Sequence, residues 1–563
     1  MRPSPLPRFL LVVVAFAATA TAHAPANGGT HSSCSAVRVL NEAGMGSLHL
    51  CQWAESGELR DLRWPDFSSY RDQVRQFYAP AFAFAWTANG VPTTQAQALI
   101  QEFQRAELKG LEPEDYDASR WAERLARFSA SAPLTSDELA RFDLELTVSA
   151  LRYVSHLNHG RLNPADFQAN VKRSTYDAAG FLRREIVGAA DVPLALAQAE
   201  PAWPEYRRTL KALQNYLVLA GNGEGEPVPR PKDNLFPTNT YSGVMQLAAR
   251  LRRTGDLAAD ARIPDPGIFE EPLVTAFKHF ETRNGVEPDG ILGKNSYAKL
   301  ETSFAQRAMQ LKLALERWRW LPYETSSGFV MVNIPEFRLR GYENGRPALT
   351  MKVIIGAASG KRTPVFTDRI ESLTFRPYWN IPPQLQKEEI VPWLRQDAHY
   401  LYKNHMEVVN ASGHVVTSDA VTPALLQQLD TGKLAVRQQP GDGNVLGLVK
   451  FVFPNRDGIY LHGTYDTDLF NSYRRDFSHG CIRVEHPQAM ASWVLRNYPE
   501  WTPTKVEDAM VGDQSITVKL SSPLPLLVIY NTAMVEENGD VRFSDDIYGQ
   551  DAAMERALAT ARP

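Results

Sequence analysis

The sequence predicts a multidomain α+β chain, on three grounds. Its 563 residues exceed what one hydrophobic core holds, and at about 100–200 residues per domain three or so domains are expected. Helical periodicity runs from about residue 67 to residue 305. From about residue 326 the texture changes to short β-branched runs broken by glycine. An apolar content of 44% excludes a disordered chain, and a formal net charge of −4 excludes bulk attraction to nucleic acid or to a membrane surface.

The N-terminus reads as a leader. Arg2 and Arg8 precede an apolar run from Phe9 to Ala22, and Ala22-His23-Ala24 has the small-residue pattern of a cleavage site. This predicts a cleavable signal peptide over residues 1–24. The run is shorter than the ~20 residues a spanning helix needs, and no later segment reads as a membrane span. Residues 25–66 form a loosely patterned N-terminal segment.

A helical domain is expected over 67–234. Thr135 and Glu138 make a capping-box signal, and Leu139, Phe142, Leu146, Ala150, Tyr153 and Leu157 recur at steps of three and four until Gly160. Thr94 to Leu108 reads as another helix, closed by Gly110. His156 and His159 lie near the end of the long helix, with no cysteine or carboxylate cluster to make them metal ligands. Glu224 to Asn234, rich in proline and charge, reads as a linker.

Residues 235–305 carry two apolar stripes, Val244/Leu247/Leu251 and Leu273/Phe277/Phe280. A Pro288-Asp289-Gly290 turn and Ile291-Leu292-Gly293 follow. With Asn284-Gly285-Val286, this order resembles the small three-helix peptidoglycan-binding domain.

The mainly-β domain is expected over 326–510. Phe329–Val332, Met351–Gly356, Ile459–His462 and Cys481–Val484 are its candidate strands, and Pro487–Tyr498 is a helix with proline in its first turn. A polar, more helical stretch at 381–422 interrupts the strands and is placed to cap a cleft. Residues 511–563 form a C-terminal extension that completes the unit.

Chemistry concentrates in His462-Gly463-Thr464 and Ser478-His479-Gly480-Cys481-Ile482-Arg483. The chain has three cysteines: Cys34 and Cys51, close enough in sequence to pair, and Cys481. A leftover cysteine in an exported chain invites a functional reading. A thiol is a nucleophile only as thiolate, and a nearby imidazole can take its proton and return it to a leaving amine. His462 lies on one predicted strand and Cys481 begins another. His479, two residues before Cys481, shares its face if the segment is extended. Backbone N–H groups around Gly480 and Cys481 are candidate oxyanion donors. Arg483 suits either a carboxylate contact or a structural ion pair. Zinc is the weaker reading of His462, His479 and Cys481, because no second ligand pair of typical spacing accompanies them.

These motifs resemble the signature of the YkuD-type L,D-transpeptidase catalytic domain. The similarity extends to Arg437-Gln438-Gln439-Pro440-Gly441, Asn444, Leu446-Gly447, Lys450-Phe451 and Pro454-Asn455. It continues in Asp545-Asp546-Ile547-Tyr548-Gly549 with Asp551, and it points to the large Gram-negative subgroup. Residues 67–234 then resemble its scaffold domain, and 381–422 a lid.

The resemblance implies Cys481 as nucleophile, His462 as general acid/base, the Gly463 carbonyl as the group orienting His462, and Gly480 at the oxyanion. It implies Ser478, His479, Arg483 and Tyr460 as substrate-binding residues. Large members often carry aspartate where this chain has Gly463, and the carbonyl serves either way. The implied reaction acylates Cys481 with a peptidoglycan tetrapeptide stem, releases D-alanine and joins two diaminopimelates, in the periplasm, with no metal or cofactor. Carbapenems are implied inhibitors, and a monomer that binds no nucleic acid is expected. Two alternatives stay open. One is an L,D-carboxypeptidase, or an enzyme attaching or detaching a lipoprotein, with the same residues. The other is a non-catalytic wall-binding protein.

Overall fold

The computed structural model describes residue 34 and residues 42–129, 132–172, 175–322, 328–416, 421–455 and 458–563. The expected leader lies outside the described residues. Among them, no helix is long and apolar enough to cross a membrane.

The first core gathers buried residues from Cys34 to Ala199 around helices α1 (Glu42–Ser56), α2 (Arg71–Tyr78), α3 (Thr94–Gln104) and α4 (Ser136–His159). Thr135 and Glu138 form the capping box, and the Gly160 N–H bonds the His156 carbonyl at the far end. The sequence shows one apolar stripe on α4, but the helix is buried on nearly every side. Its polar residues therefore need internal partners. Asp143 accepts from the Tyr78 hydroxyl at 2.8 Å and from the Trp86 N–H at 2.8 Å, and His156 Nδ1 meets the Tyr116 hydroxyl at 2.8 Å. Cys34 and Cys51 are joined in a disulfide within this core.

Helix α5 (Pro204–Gly221) leaves the scaffold core. It packs with the helix that begins at Phe304 and with strands of the β domain in a separate cluster, so the first core stops near Ala199, short of residue 234. Helices α6 (Val244–Thr254), α7 (Leu273–Arg283) and α8 (Lys294–Glu301) enclose a small core of their own, with Phe269, Phe277 and Leu292 fully buried.

Sequence reading leaves residues 306–325 unassigned. The structure places α9 (Phe304–Trp320) there, capped by Ser303 and Gln306, and makes it the hub of the molecule. Glu316 accepts the Leu162 N–H at 2.7 Å, Arg319 donates to the Lys109 carbonyl and the Tyr206 hydroxyl, and Arg317 pairs with Asp551 at 2.6 Å. One short helix thus ties scaffold, β domain and C-terminus together.

The β domain is a closed ring. Its strands are β1 (Gly328–Asn333), β2 (Arg338–Glu343), β3 (Arg346–Gly356), β4 (Val365–Phe375), β5 (Val449–Val452), β6 (Leu461–His462), β7 (Asp476–Ser478), β8 (Ile482–Val484) and β9 (Ile516–Ile529). The order β5-β6-β8-β3-β2-β1-β9-β4 returns to β5, because β4 also pairs with β5. Closure removes the exposed edges of an open sheet. Strand β9, in the C-terminal extension, pairs in parallel with β1 and antiparallel with β4, so the extension is part of the barrel wall.

The insertion between β4 and β5 has its own core, from Ile381 through Val391 to Val436, and a small sheet of Trp379–Asn380, Met406–Val409 and Ala435–Gln438. It is therefore longer than the expected 381–422 and not only helical. Gln386 pins it from inside, donating to the Leu429 and Leu434 carbonyls and accepting the Val436 N–H at 2.7 Å. Helix α10 (Pro487–Val494) ends four residues before the predicted Tyr498. Leu495, at φ −90° and ψ 7°, leaves helical geometry there, and Pro499 keeps Tyr498 out of it as well.

Candidate active site

Strands β5, β6 and β8 lie side by side. Lys450 is opposite His462, Leu461 is opposite Ile482, and His462 is opposite Arg483. Side chains alternate across a strand. Phe451, Leu461 and Ile482 are fully buried in the barrel core. The other face therefore carries Lys450, Tyr460, His462, Cys481 and Arg483. Parallel pairing of β6 with β8 thus gathers residues that a long loop separates in sequence.

His462 Nδ1 lies 2.5 Å from the Gly463 carbonyl oxygen. A carbonyl only accepts, so Nδ1 carries the proton and Nε2 holds the basic lone pair. The ring is 4% exposed. Burial pushes its pKa down to about 3 against the Gly463 bond, and the positive charges of Arg483 and Lys450 push the same way. The imidazole is therefore neutral at physiological pH. Gly463 is itself held by its N–H to the Val449 carbonyl at 2.9 Å and by the close approach of Gly447. Gly447 has φ +62°, and a Cβ there would sit 2.5 Å from the Thr464 nitrogen. Asn444 fixes this loop, donating to the Pro377 and Gln439 carbonyls and accepting the Leu446 N–H.

Cys481 is half-buried and outside the disulfide. Burial raises its pKa, while the Tyr460 backbone N–H directed at the sulfur and the charges of Lys450 and Arg483 oppose that rise. Gly480, before it, has φ +115°, a conformation glycine adopts freely. This breaks the extended geometry expected of residues 479–481. His479 meets Glu389 of the lid at 3.0 Å, and Lys361 approaches the same oxygen at 3.5 Å.

Two of the expected site residues are engaged within the loop itself. Ser478 is 2% exposed, and its hydroxyl donates to the Cys481 carbonyl at 2.6 Å while accepting the Gly480 N–H at 3.1 Å. The Ser478 hydroxyl is thus bonded within the loop. The Gly480 N–H is thereby engaged, and the backbone donor facing the sulfur is that of Tyr460. Tyr460 is half-buried beneath the Lys450 ammonium, 3.4 Å from its ring centroid. Arg483 is half-buried beside Asp466 and Tyr465.

The sequence reading missed a brace behind the loop. Thr363 Oγ1 donates to the Gly480 carbonyl at 2.8 Å and accepts the Gly356 N–H at 2.9 Å. The Tyr548 hydroxyl donates to the Gly356 carbonyl at 2.5 Å and accepts the Thr363 N–H at 3.2 Å. Tyr548 is held in turn by Tyr530 and Asp546. The Asp545–Gly549 segment, singled out by its motif, is thus tied to the cysteine loop. Nothing local in the sequence signals Thr363.

Residues 327–514 match the family model for the L,D-transpeptidase catalytic domain (YkuD), and residues 72–213 match that for a scaffold domain. A Haemophilus influenzae protein named "Putative L,D-transpeptidase" is 32% identical over 241 residues, covering 43% of this chain and 48% of that protein. The chain thus spans about half the length of this curated relative. Two solved L,D-transpeptidases are more distant. That from Xylanimonas cellulosilytica is 15% identical, covering 54% of this chain and all of its own, with a TM-score of 0.16. That from Stackebrandtia nassauensis is 13% identical, covering 53% and 96%, with a TM-score of 0.21. With a histidine on β6 and a cysteine immediately before the adjoining β8 inside the matched segment, residues 327–514 are an L,D-transpeptidase catalytic domain of the YkuD family, carried in one chain with a scaffold domain.

Proposed function

We propose that this protein cross-links peptidoglycan through a thioester on Cys481. The observation that carries the reading is the neutral His462 ring, whose Nδ1 proton is committed to Gly463, on the strand adjoining the one that Cys481 leads into. The thiol proton passes to His462 Nε2 as sulfur attacks the carbonyl of the L-centre of diaminopimelate in a tetrapeptide stem. The carbon–nitrogen bond to D-alanine breaks, and the imidazolium proton goes to the departing amine. The side-chain amine of a second diaminopimelate then attacks the thioester, releasing the thiol and forming the cross-link. The lid, latched by Glu389 to His479, shields the thioester so that an amine competes with water. No resident metal or cofactor enters these steps. The 235–305 unit is read as a wall-binding module. Export to the periplasm is supported by the leader motif and by the Cys34–Cys51 disulfide.

Incubating the protein with a purified disaccharide-tetrapeptide and reading products by mass tests the reading. Dimers joined through two diaminopimelates with loss of D-alanine support it, and tripeptides alone identify a hydrolase instead. A carbapenem adduct on the wild type and its absence in Cys481→Ala support the nucleophile. No adduct on the wild type overturns it.

A further inference from the structure

The Cys481–His462 pair lacks one component of a thiol nucleophile. A thiolate in a half-buried site needs a positive charge nearby, and an imidazolium often supplies it. Here the imidazole is buried and neutral, and it offers a lone pair rather than a charge.

Lys450 occupies the place from which that charge can come. Its neighbours in the strand, Val449 and Phe451, are fully buried in the barrel core, so Lys450 projects from the catalytic face. It stands opposite His462 on one side and opposite the uncharged Thr374 on the other. Its ammonium lies 3.4 Å from the centroid of the Tyr460 ring, and the face of an aromatic ring holds a cation in place. The backbone N–H of that same Tyr460 is directed at the Cys481 sulfur. Among the described residues no carboxylate pairs with Lys450, and Cys481 is the ionisable group that its charge addresses. The other charged or titratable groups on this face are His462, Tyr460 and Arg483. Arg483 also favours the Cys481 thiolate but is shared with Asp466 and Tyr465, and on the lid side Glu389 is engaged by His479 and Lys361.

We propose that Lys450, held over Tyr460, is the cation that stabilises the Cys481 thiolate, the part an imidazolium plays in an ion-paired cysteine–histidine site. The inference rests on Cys481 being the nucleophile. It divides the labour between two residues: His462 moves the proton and Lys450 supplies the charge. Burial lowers the Lys450 pKa and the charge on Cys481 raises it again; Lys450 acts here as a charge and takes no proton, so the thiol proton leaves to His462 Nε2, or to solvent when no substrate is bound.

Alkylation of Cys481 by iodoacetamide measures this without substrate. Sulfur forms the new carbon bond, iodide leaves, and the rate follows the thiolate fraction. The full-length protein is used with Cys34 and Cys51 oxidised, and modification is read by mass at Cys481. Lys450→Met is expected to move the midpoint of the rate–pH curve upward by about one unit or more, slowing alkylation at pH 7 about tenfold, with the high-pH plateau unchanged. Lys450→Arg, which keeps the charge, is expected to stay within about threefold of wild type. If Lys450→Met does not fold, judged by its melting curve, Lys450→Gln takes its place. Superimposable curves for the wild type and the neutral variant overturn the proposal, even if substrate KM rises, because that pattern assigns Lys450 to substrate binding. The carbapenem adduct on the wild type separates the two readings. With the adduct present and the curves identical, only the Lys450 assignment falls, whereas a missing adduct removes the nucleophile itself.

Discussion

Replacing Gly447 by alanine perturbs the histidine without touching any reacting group. The Cβ would lie 2.5 Å from the Thr464 nitrogen, 2.7 Å from the Gly463 carbonyl carbon and 2.9 Å from its Cα. Ordinary contact begins near 3.4 Å, so one backbone must yield by about 0.9 Å, and neither belongs to a flexible side chain. Alanine at φ +62° adds about 1–2 kcal/mol of strain. The carbonyl of Gly463 fixes the tautomer and plane of His462, so a shift of this size turns the ring and displaces Nε2. Misplacement by about 1 Å costs on the order of a hundredfold in rate. Gly447→Ala should therefore acylate with a carbapenem about a hundredfold more slowly while remaining folded by circular dichroism. Gly463→Ala is the control. Its Cβ would meet the Leu446 carbonyl oxygen and Pro487 Cγ no closer than 3.4 Å, and the rate should change by less than about fivefold. A Gly447→Ala protein that acylates like the wild type refutes the claim that backbone contact at Gly463 sets the histidine.

Three further outcomes are expected. Acylation should climb with pH through neutrality: the thiolate fraction grows toward a raised cysteine pKa, and His462, at about 3, is already neutral; a stopped-flow profile with a step near pH 6.5 contradicts this. Thr363→Val leaves the buried Gly480 carbonyl and Gly356 N–H unpaired at about 1–3 kcal/mol each, so hydrogen exchange at Gly480 and Cys481 should accelerate, and unchanged protection there counts against the brace. Removing the disulfide with Cys34→Ala and Cys51→Ala, 17 residues apart, should cost the scaffold about 3 kcal/mol in thermal or denaturant unfolding. Carbapenem acylation should not change, because the two cysteines and the catalytic strands belong to different cores; a large loss of acylation would mean that the cores are coupled.

Sequence alone determined what short-range chemistry controls. The Thr135–Glu138 cap and Gly160 bounded the long helix because capping bonds span a few residues. The two stripes of 235–305 marked two of its helices because a 3.6-residue period is visible in any window. His462 and Cys481 stood out because few residue types carry acyl transfer. Tertiary structure decided everything that depends on pairing between distant segments. Closure of the barrel at Phe375 and Val449 skips the whole lid, and no local pattern encodes it. The lid's true extent emerged from a core that closes only at Val436. The positive φ of Gly480 turned His479 toward Glu389, committed Ser478 and the Gly480 N–H to the loop, and left the Tyr460 amide facing the sulfur. The brace from Tyr548 through Thr363, and the placing of Lys450 above Tyr460, likewise exist only once register brings far-apart strands into contact, because hydrogen bonds and charges act over a few ångströms of space whatever the separation along the chain.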